Sequence, residues 1–412
     1  MKNILLMLLA IMPILNIYCL PFGPDIPLAN VIIITLATCG VISRRMRFGK
    51  LPRFFVIYWV YIGVAYFILT LNNFKVVNLI PGGLSFFVWV IILSVYLDAF
   101  DLNVFRKYYR VVFTICGVVL LLQEFLFFTT GQRFSLLFPL PLSGGMSSQF
   151  LKDTQLLLTR SSSFFREPSH FAQFALPLLA IELFNPRNKN SFISGYSVFI
   201  LICLIVLRSG NGFLGMITLI ISRFFFYFKE SGIKAKLATL LFVVPLLLFS
   251  TVKYTSTESG QEIVERFSNV GIDEDSESFD RIFRGYLLYQ ILPNENKVFG
   301  ISHENLESFI GHSAIAYLFM SNTADGQNDT YLNGIQHILV HFGAVGLILF
   351  FYVLICLYVQ SDYIAKTLII TFLIIMFVGN VYASHMMLLT FLISYNKNKY
   401  LNIAPNEGII RT

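Results

Sequence analysis

Apolar residues run through this chain in long blocks, separated by short clusters of charge, glycine and proline. The blocks fall at Ile4–Leu20, Ile26–Ile42, Phe54–Leu71, Leu84–Leu97, Val111–Thr129, Pro168–Phe184, Phe192–Leu207, Phe213–Phe228, Leu237–Val252, Tyr331–Val359, Thr367–Gly379 and Ala383–Tyr395. Many approach the roughly 17–25 residues that cross hydrocarbon as a helix. The pattern predicts an all-α, polytopic integral membrane protein with about 12 transmembrane helices. The last two blocks are short and could be one kinked span, which would leave about eleven. The first block follows Lys2 like a signal sequence, but no A-x-A site follows and Tyr18-Cys19 is a poor lipobox ending. An uncleaved first helix is expected.

Composition closes off a soluble reading. Of 412 residues, 56% are hydrophobic and 13% charged, where soluble domains carry about 25% charged residues. The net charge of +7 sits mainly in alternate short loops: Arg44, Arg45, Arg47, Lys50 and Arg53; Arg106, Lys107 and Arg110; Arg187 and Lys189; Lys229, Lys234 and Lys236; Lys366; Lys397 and Lys399. Basic loops stay in the cytoplasm, so both termini are expected there and the charge is no nucleic-acid footprint. Opposite them, residues 253–330 form an acidic loop between the ninth and tenth spans, with Glu258, Glu262, Asp273, Glu274, Asp275, Glu277 and Asp280. A loop of that length is usually functional. The rest of 1–412 reads as one membrane domain carrying this loop.

The five cysteines lie in or at apolar spans and outline no disulfide framework in the loop. No P-loop, G-x-G-x-x-G or H-E-x-x-H pattern occurs. His337 and His341 have i, i+4 spacing but lack a third ligand at a recognisable distance, so no metal or cofactor is expected. All six histidines fall on the predicted outer side.

The densest polar stretch is "RSSSFFREPSHFAQF", residues 160–174. Pro168 suits the first turn of a helix, where its missing N–H is an orphan anyway. Arg166, His170 and Gln173 then stand at i, i+4 and i+7 and can share a face at the helix N-terminus, which attracts anions. Arginine there is a good seat for a lipid-linked phosphate. Glu167 could orient the arginine or act as a base. The plain alternative is an Arg166–Glu167 or Arg160–Glu167 pair that merely caps the helix.

This stretch resembles the R-x-S-G-x-F-x-E-P-S-x-F-A pattern of bacterial O-antigen and capsule repeat-unit polymerases, the Wzy type, with serine in place of the glycine. "LRSGNGFLGMITLI" (207–220), "NKVFGIS" (296–302) and "NDTYLNGIQHILVHFGAVGLILFF" (328–351) resemble later segments of the same family. The family often has His-Asn where Asn328-Asp329 stands here, which leaves His337, about two turns on, as the histidine candidate.

The resemblance implies a GT-C-like glycosyltransferase fold in the inner membrane. It implies an active site facing the periplasm, with undecaprenyl-diphosphate-linked oligosaccharide as substrate. The growing chain leaves its lipid diphosphate and joins a new lipid-linked repeat, without nucleotide sugar or metal. Membrane lipids and a chain-length regulator are the partners such an enzyme would meet. Breaking an anomeric carbon–diphosphate bond builds negative charge on the leaving group, which fixed cations stabilise. Arg160 and Arg166 are the first candidates. Arg281 and Arg284, in "DRIFRGYLLYQI", are the next; as an amphipathic helix this segment would put both arginines on one side and Ile282, Leu287, Leu288 and Ile291 against lipid. Glu167, His170 or His337 could serve as base. Two other functions fit part of the pattern: an O-antigen ligase moving the finished glycan to lipid A core, and a lipid-linked oligosaccharide flippase. Flippases usually show two similar halves and short loops.

Overall fold

A computed structural model describes residues 2–19, 27–43, 48–71, 76–132, 134, 136, 141, 160–185, 192–230, 282–301, 303–313 and 332–395. The described chain is helical: α1 Lys2–Leu15, α2 Leu28–Ile42, α3 Arg53–Leu71, α4 Val76–Ala99, α5 Leu102–Thr130, α6 Pro168–Leu183, α7 Gly195–Val206, α8 Gly210–Glu230, α9 Arg284–Ile291, α10 Asn294–Phe299, α11 His303–Gly311, α12 Gly334–Gln360, α13 Tyr363–Met376 and α14 His385–Tyr395. The span expected at Leu237–Val252, and much of the acidic loop with Arg281, lie outside the described residues.

Three described helices, within α5, α8 and α12, are long and apolar enough to cross a membrane. The faces of α5 show how the bundle meets lipid. Phe105, Tyr109, Phe113, Cys116 and Leu120 are buried, while Val111, Ile115, Val118, Leu122 and Phe125 are exposed. Steps of three and four residues make each set one stripe, and an apolar stripe on the outside is what a lipid solvent asks for. These features describe an all-α membrane protein.

Helix α6 runs through the centre, with Phe171 to Leu183 buried without a break, as expected of a helix that is apolar on every face. It packs against α5, α7, α8, α13 and α14. Tyr109 donates its hydroxyl to the Phe174 carbonyl, about one turn before Pro177.

Polar contacts gather at the two ends of this bundle. At one end, Lys2 meets Asp98 at 3.0 Å and Arg106 meets Glu182 at 2.7 Å through two parallel bonds. Arg110 lies 3.6 Å from the same carboxylate and over the Tyr196 ring. Arg223 donates to the Phe192 carbonyl among the rings of Phe184, Phe226 and Tyr227. Arg106 and Arg110 belong to one of the loops that the sequence marks as basic. The opposite end carries the polar connectors described below.

The last two blocks are separate helices, not one kinked span. The hydroxyl of Ser361, just before α13, lies 3.4 Å from the carbonyl of Ser394 near the end of α14. The pair therefore enters and returns as a hairpin. With 14 and 11 residues, the helices reach only about 21 and 16 Å, short of the ~30 Å hydrocarbon core. Their connector, residues 377–384, is drawn into the bundle, where irregular backbone persists only if protein satisfies it. Asn333 donates to the Phe377 carbonyl (2.9 Å), Gly334 N–H to the Gly379 carbonyl (3.0 Å) and the Trp89 indole to the Ala383 carbonyl (3.1 Å).

Helix α12 is broken inside its apolar run. Gly343 takes φ 68°, ψ −175°, and residues 298–301 dock into the break: the Ile301 N–H donates to the Val340 carbonyl at 2.9 Å, and His341 Nδ1 donates to the Ile301 carbonyl at 3.0 Å. The loop brings its own small core, in which Leu288, Leu292, Ile301, Leu306 and Ile310 close over Leu332 and Val340. This corrects the expected lipid contact of Leu288. Leu288 and Arg284, one turn apart, both face protein and are 0% and 2% exposed. Phe283, Gln290 and Ile291 are the exposed residues among those described in that segment.

Candidate functional site

Residues 160–167 form an irregular strap leading into α6. Its backbone is held by the far end of α5. Gln123 accepts from the Ser163 N–H at 2.8 Å and Glu124 from the Ser161 N–H at 3.1 Å. Ser163 donates its hydroxyl to the Cys116 carbonyl at 2.8 Å, and Ser162 to Phe165 at 2.8 Å. Ser163 has φ 56°, the left-handed region that glycine enters most readily. This is the position where the family pattern carries glycine. A buried network therefore takes over the work of a missing conformational freedom.

The strap presents the predicted residues at the entrance of α6. Pro168 stands in its first turn, as the sequence suggests, and Glu167 is the extended N-cap residue (φ −140°, ψ 154°) with no side-chain capping bond. The exposed Glu167 carboxylate instead accepts from the Ser169 hydroxyl at 3.1 Å. His170 is exposed beside it, Arg166 is half-buried, and Gln173 turns inward at 9% exposure. The expected common face of Arg166, His170 and Gln173 is thus split: His170 looks outward and Gln173 into the core.

Arg160 ties the strap to the next motif. Its Nη1 donates to the Arg208 carbonyl at 2.9 Å. Arg208 also has a left-handed backbone, φ 49°, as has Ala383 at φ 54°. Among the described residues these two and Ser163 are the non-glycine positions with positive φ, and each lies in a connector entering a helix. Such strain persists where the surroundings over-determine it, and it clusters at active sites.

From Arg208 the contacts continue. A Cβ on Gly379 would come within 2.4 Å of the Asn211 amide nitrogen. The Gly379 carbonyl receives the Gly334 N–H at 3.0 Å. Asn333 and Gln336 form a capping box at the start of α12, and Gln336 reaches on to the Ile282 carbonyl at 2.8 Å. Arg284 follows two residues later. The strap at 160–170, the turn at 207–211, the loop at 282–301 and the entry at 332–337 thus meet around the connector 377–384. Three of them, at 160–170, 207–211 and 332–337, lie in segments that carried the family resemblance; the fourth such segment, 296–302, docks further along α12, at Val340 and His341.

His337 is half-buried, with its ring 4.5 Å from His341 and 5.2 Å from Tyr382. Tyr58 donates to the Tyr382 hydroxyl at 3.0 Å. His341 is occupied as the latch on Ile301. Among the described residues no group of three or more His, Cys, Asp or Glu is placed to hold a metal ion. His385, expected on the outer face, is drawn into the bundle, with Nε2 donating to the Leu9 carbonyl at 2.9 Å and its ring near Tyr109 and Phe174. Arg281 lies outside the described residues.

The sequence reading missed Gln123, Glu124, Asn211, Asn333 and Gln336. Their signal was polarity at the edges of apolar blocks, which in a membrane protein marks function or a buried network.

A comparison with curated proteins gives no match. The family described as WcaD colanic acid polymerase matches residues 1–397. With nearly the whole chain covered, and with three of its motif segments gathered at one end of a membrane-embedded helical bundle, the protein belongs to the WcaD colanic acid polymerase family, whose members are membrane glycosyltransferase-type polysaccharide polymerases acting on lipid-linked oligosaccharide.

Proposed function

We propose that this protein joins undecaprenyl-diphosphate-linked repeat units on the periplasmic face of the inner membrane, releasing undecaprenyl diphosphate as each block is transferred. The observation that carries this reading is the meeting of three motif segments, 160–170, 207–211 and 332–337, around one connector, at the other end of the bundle from Arg106 and Arg110. Basic loops favour the cytoplasmic side, and a periplasmic motif end is the orientation that this preference supports.

In this reading the arginines hold the diphosphate. Arg160 and Arg166 frame the entrance of α6, and Arg284 approaches from the loop. As the anomeric C–O bond to the diphosphate breaks, charge builds on the leaving oxygen, and cations already fixed in place stabilise that state without reorganising. A base must take the proton of the acceptor hydroxyl as the new glycosidic bond forms. Glu167 and His170 lie together beside the arginines, and His337 stands on α12. A GT-C-like architecture and a chain-length regulator as partner belong to the same proposal.

The test is reconstitution. Purified protein and polyprenyl-diphosphate-linked repeat units, with no nucleotide sugar, should yield a ladder of lipid-linked oligomers and stoichiometric undecaprenyl diphosphate. With lipid A core added as a second acceptor, a glycan that moves to it without growing longer would support the ligase alternative instead.

A further inference from the structure

We propose that Gln336 is a positioning residue for the polymerase: it clamps the loop helix α9 onto the start of α12 and thereby sets where Arg284 stands. The inference rests on the reading above, in which Arg284 serves the lipid diphosphate.

Gln336 is fully buried, and both ends of its amide are committed. Oε1 accepts the Asn333 N–H at 3.1 Å, and Nε2 donates to the Ile282 carbonyl at 2.8 Å. A backbone N–H can only donate and a backbone carbonyl can only accept, so the partners fix which way the amide points. On the other flank, a Cβ on Gly285 would lie 2.6 Å from the Gln336 amide carbon. Only glycine lets the α9 backbone come this close. Ile282 is bonded and Gly285 is in contact, so the chain on both sides of Arg284 rests against one side chain. Arg284 itself is 2% exposed. Asn333 completes the arrangement: its oxygen accepts the Gln336 N–H at 2.9 Å, and its amide donates to the Phe377 carbonyl at 2.9 Å. One pair of side chains thus joins the loop to α12 and to the connector that reaches Gly379.

The capping box and the clamp use different atoms, and Gln336→Glu separates them. A glutamate still accepts from Asn333, as in ordinary capping boxes, but it turns an acceptor toward the Ile282 carbonyl. In reconstituted polymerase supplied with polyprenyl-diphosphate-linked repeats, Gln336→Glu should raise KM for the lipid-linked donor tenfold or more at unchanged protein yield. A role in capping alone predicts wild-type KM. Gly285→Ala attacks the same contact from the loop side, because its Cβ would push α9 off the Gln336 amide. It should raise KM for the donor as Gln336→Glu does, at unchanged protein yield. Wild-type KM in both variants overturns the clamp. Arg284→Ala in the same assay tells the two failures apart. If it leaves KM unchanged, the assignment of Arg284 fails and the clamp's purpose with it. If it raises KM while Gln336→Glu does not, the assignment stands and the positioning role falls.

Discussion

Gly300 and Gly343 face each other across the break in α12, closer than any other residue would allow. A Cβ on Gly300 would lie 2.2 Å from the His341 carbonyl oxygen, and one on Gly343 2.2 Å from the Val298 carbonyl oxygen. Both have positive φ, 91° and 68°. Loop and helix therefore meet backbone to backbone, and the carbonyls freed by the break are covered by protein. Tyr61 helps by donating to the Phe342 carbonyl at 2.8 Å.

Both have ψ −175°, a region essentially reserved for glycine, so alanine at either combines backbone strain of about 1–3 kcal/mol with overlap worth about 1–3 kcal/mol more. Gly300→Ala and Gly343→Ala should each lower stability by roughly 3 kcal/mol. Unfolding followed in detergent micelles checks this, and a shift below about 0.5 kcal/mol would mean that the loop is not docked in the break.

At Ser163 two effects oppose. Ser163→Gly relieves left-handed strain of about 1 kcal/mol and loses the hydroxyl bond to Cys116, worth about 0.5–1.5 kcal/mol. Stability and polymer length should stay close to wild type. Ser163→Val places a β-branched residue where it is an outlier and should shorten the polymer markedly. Equal behaviour of the two variants, read on glycan gels, would remove the backbone explanation for this position.

The charge cluster at the other end bears on folding rather than chemistry. Glu182 is 1% exposed and bound by Arg106 through two bonds. Glu182→Ala leaves a cation without its partner and should cost about 3–5 kcal/mol. Replacing Arg106 and Glu182 together by methionine should recover most of that loss. A double variant no more stable than Glu182→Ala would contradict this.

Much of this was legible in local sequence. Pro168 announced the start of α6, and the polar run 160–170 stands at its entrance as the sequence suggests. Features set by distant partners were not. In "HFGAVG" the periodicity reads straight through Gly343, and only Gly300 explains the break. Leu288 looked like a lipid contact because its partners Ile301, Leu306 and Ile310 come later in the chain. The block Ala383–Tyr395 looked like a short span or part of a kinked one. Its role as the return leg of a hairpin depends on the Ser361–Ser394 contact and on polar groups supplied by Asn333 and Trp89.

Metal dependence is open to direct assay. Reconstituted polymerisation should persist in excess chelator, because arginines supply the positive charge in the mechanism proposed. Activity lost to chelator and restored by magnesium or manganese would point to a carboxylate site that the mechanism omits.

The central claim is that the arginines of the motif end hold a lipid diphosphate, and Arg166 tests it most directly. Arg166→Ala removes a charge-assisted contact worth roughly 1.5–3 kcal/mol, and more if the contact tightens as the leaving group departs. Lysine keeps the charge but not the planar fork, so it should restore activity only in part. The measurement is the length distribution of surface glycan in a strain producing Arg166→Ala at native protein level. The account predicts a collapse to single repeats, with partial recovery for Arg166→Lys; an unchanged long-chain distribution would contradict it.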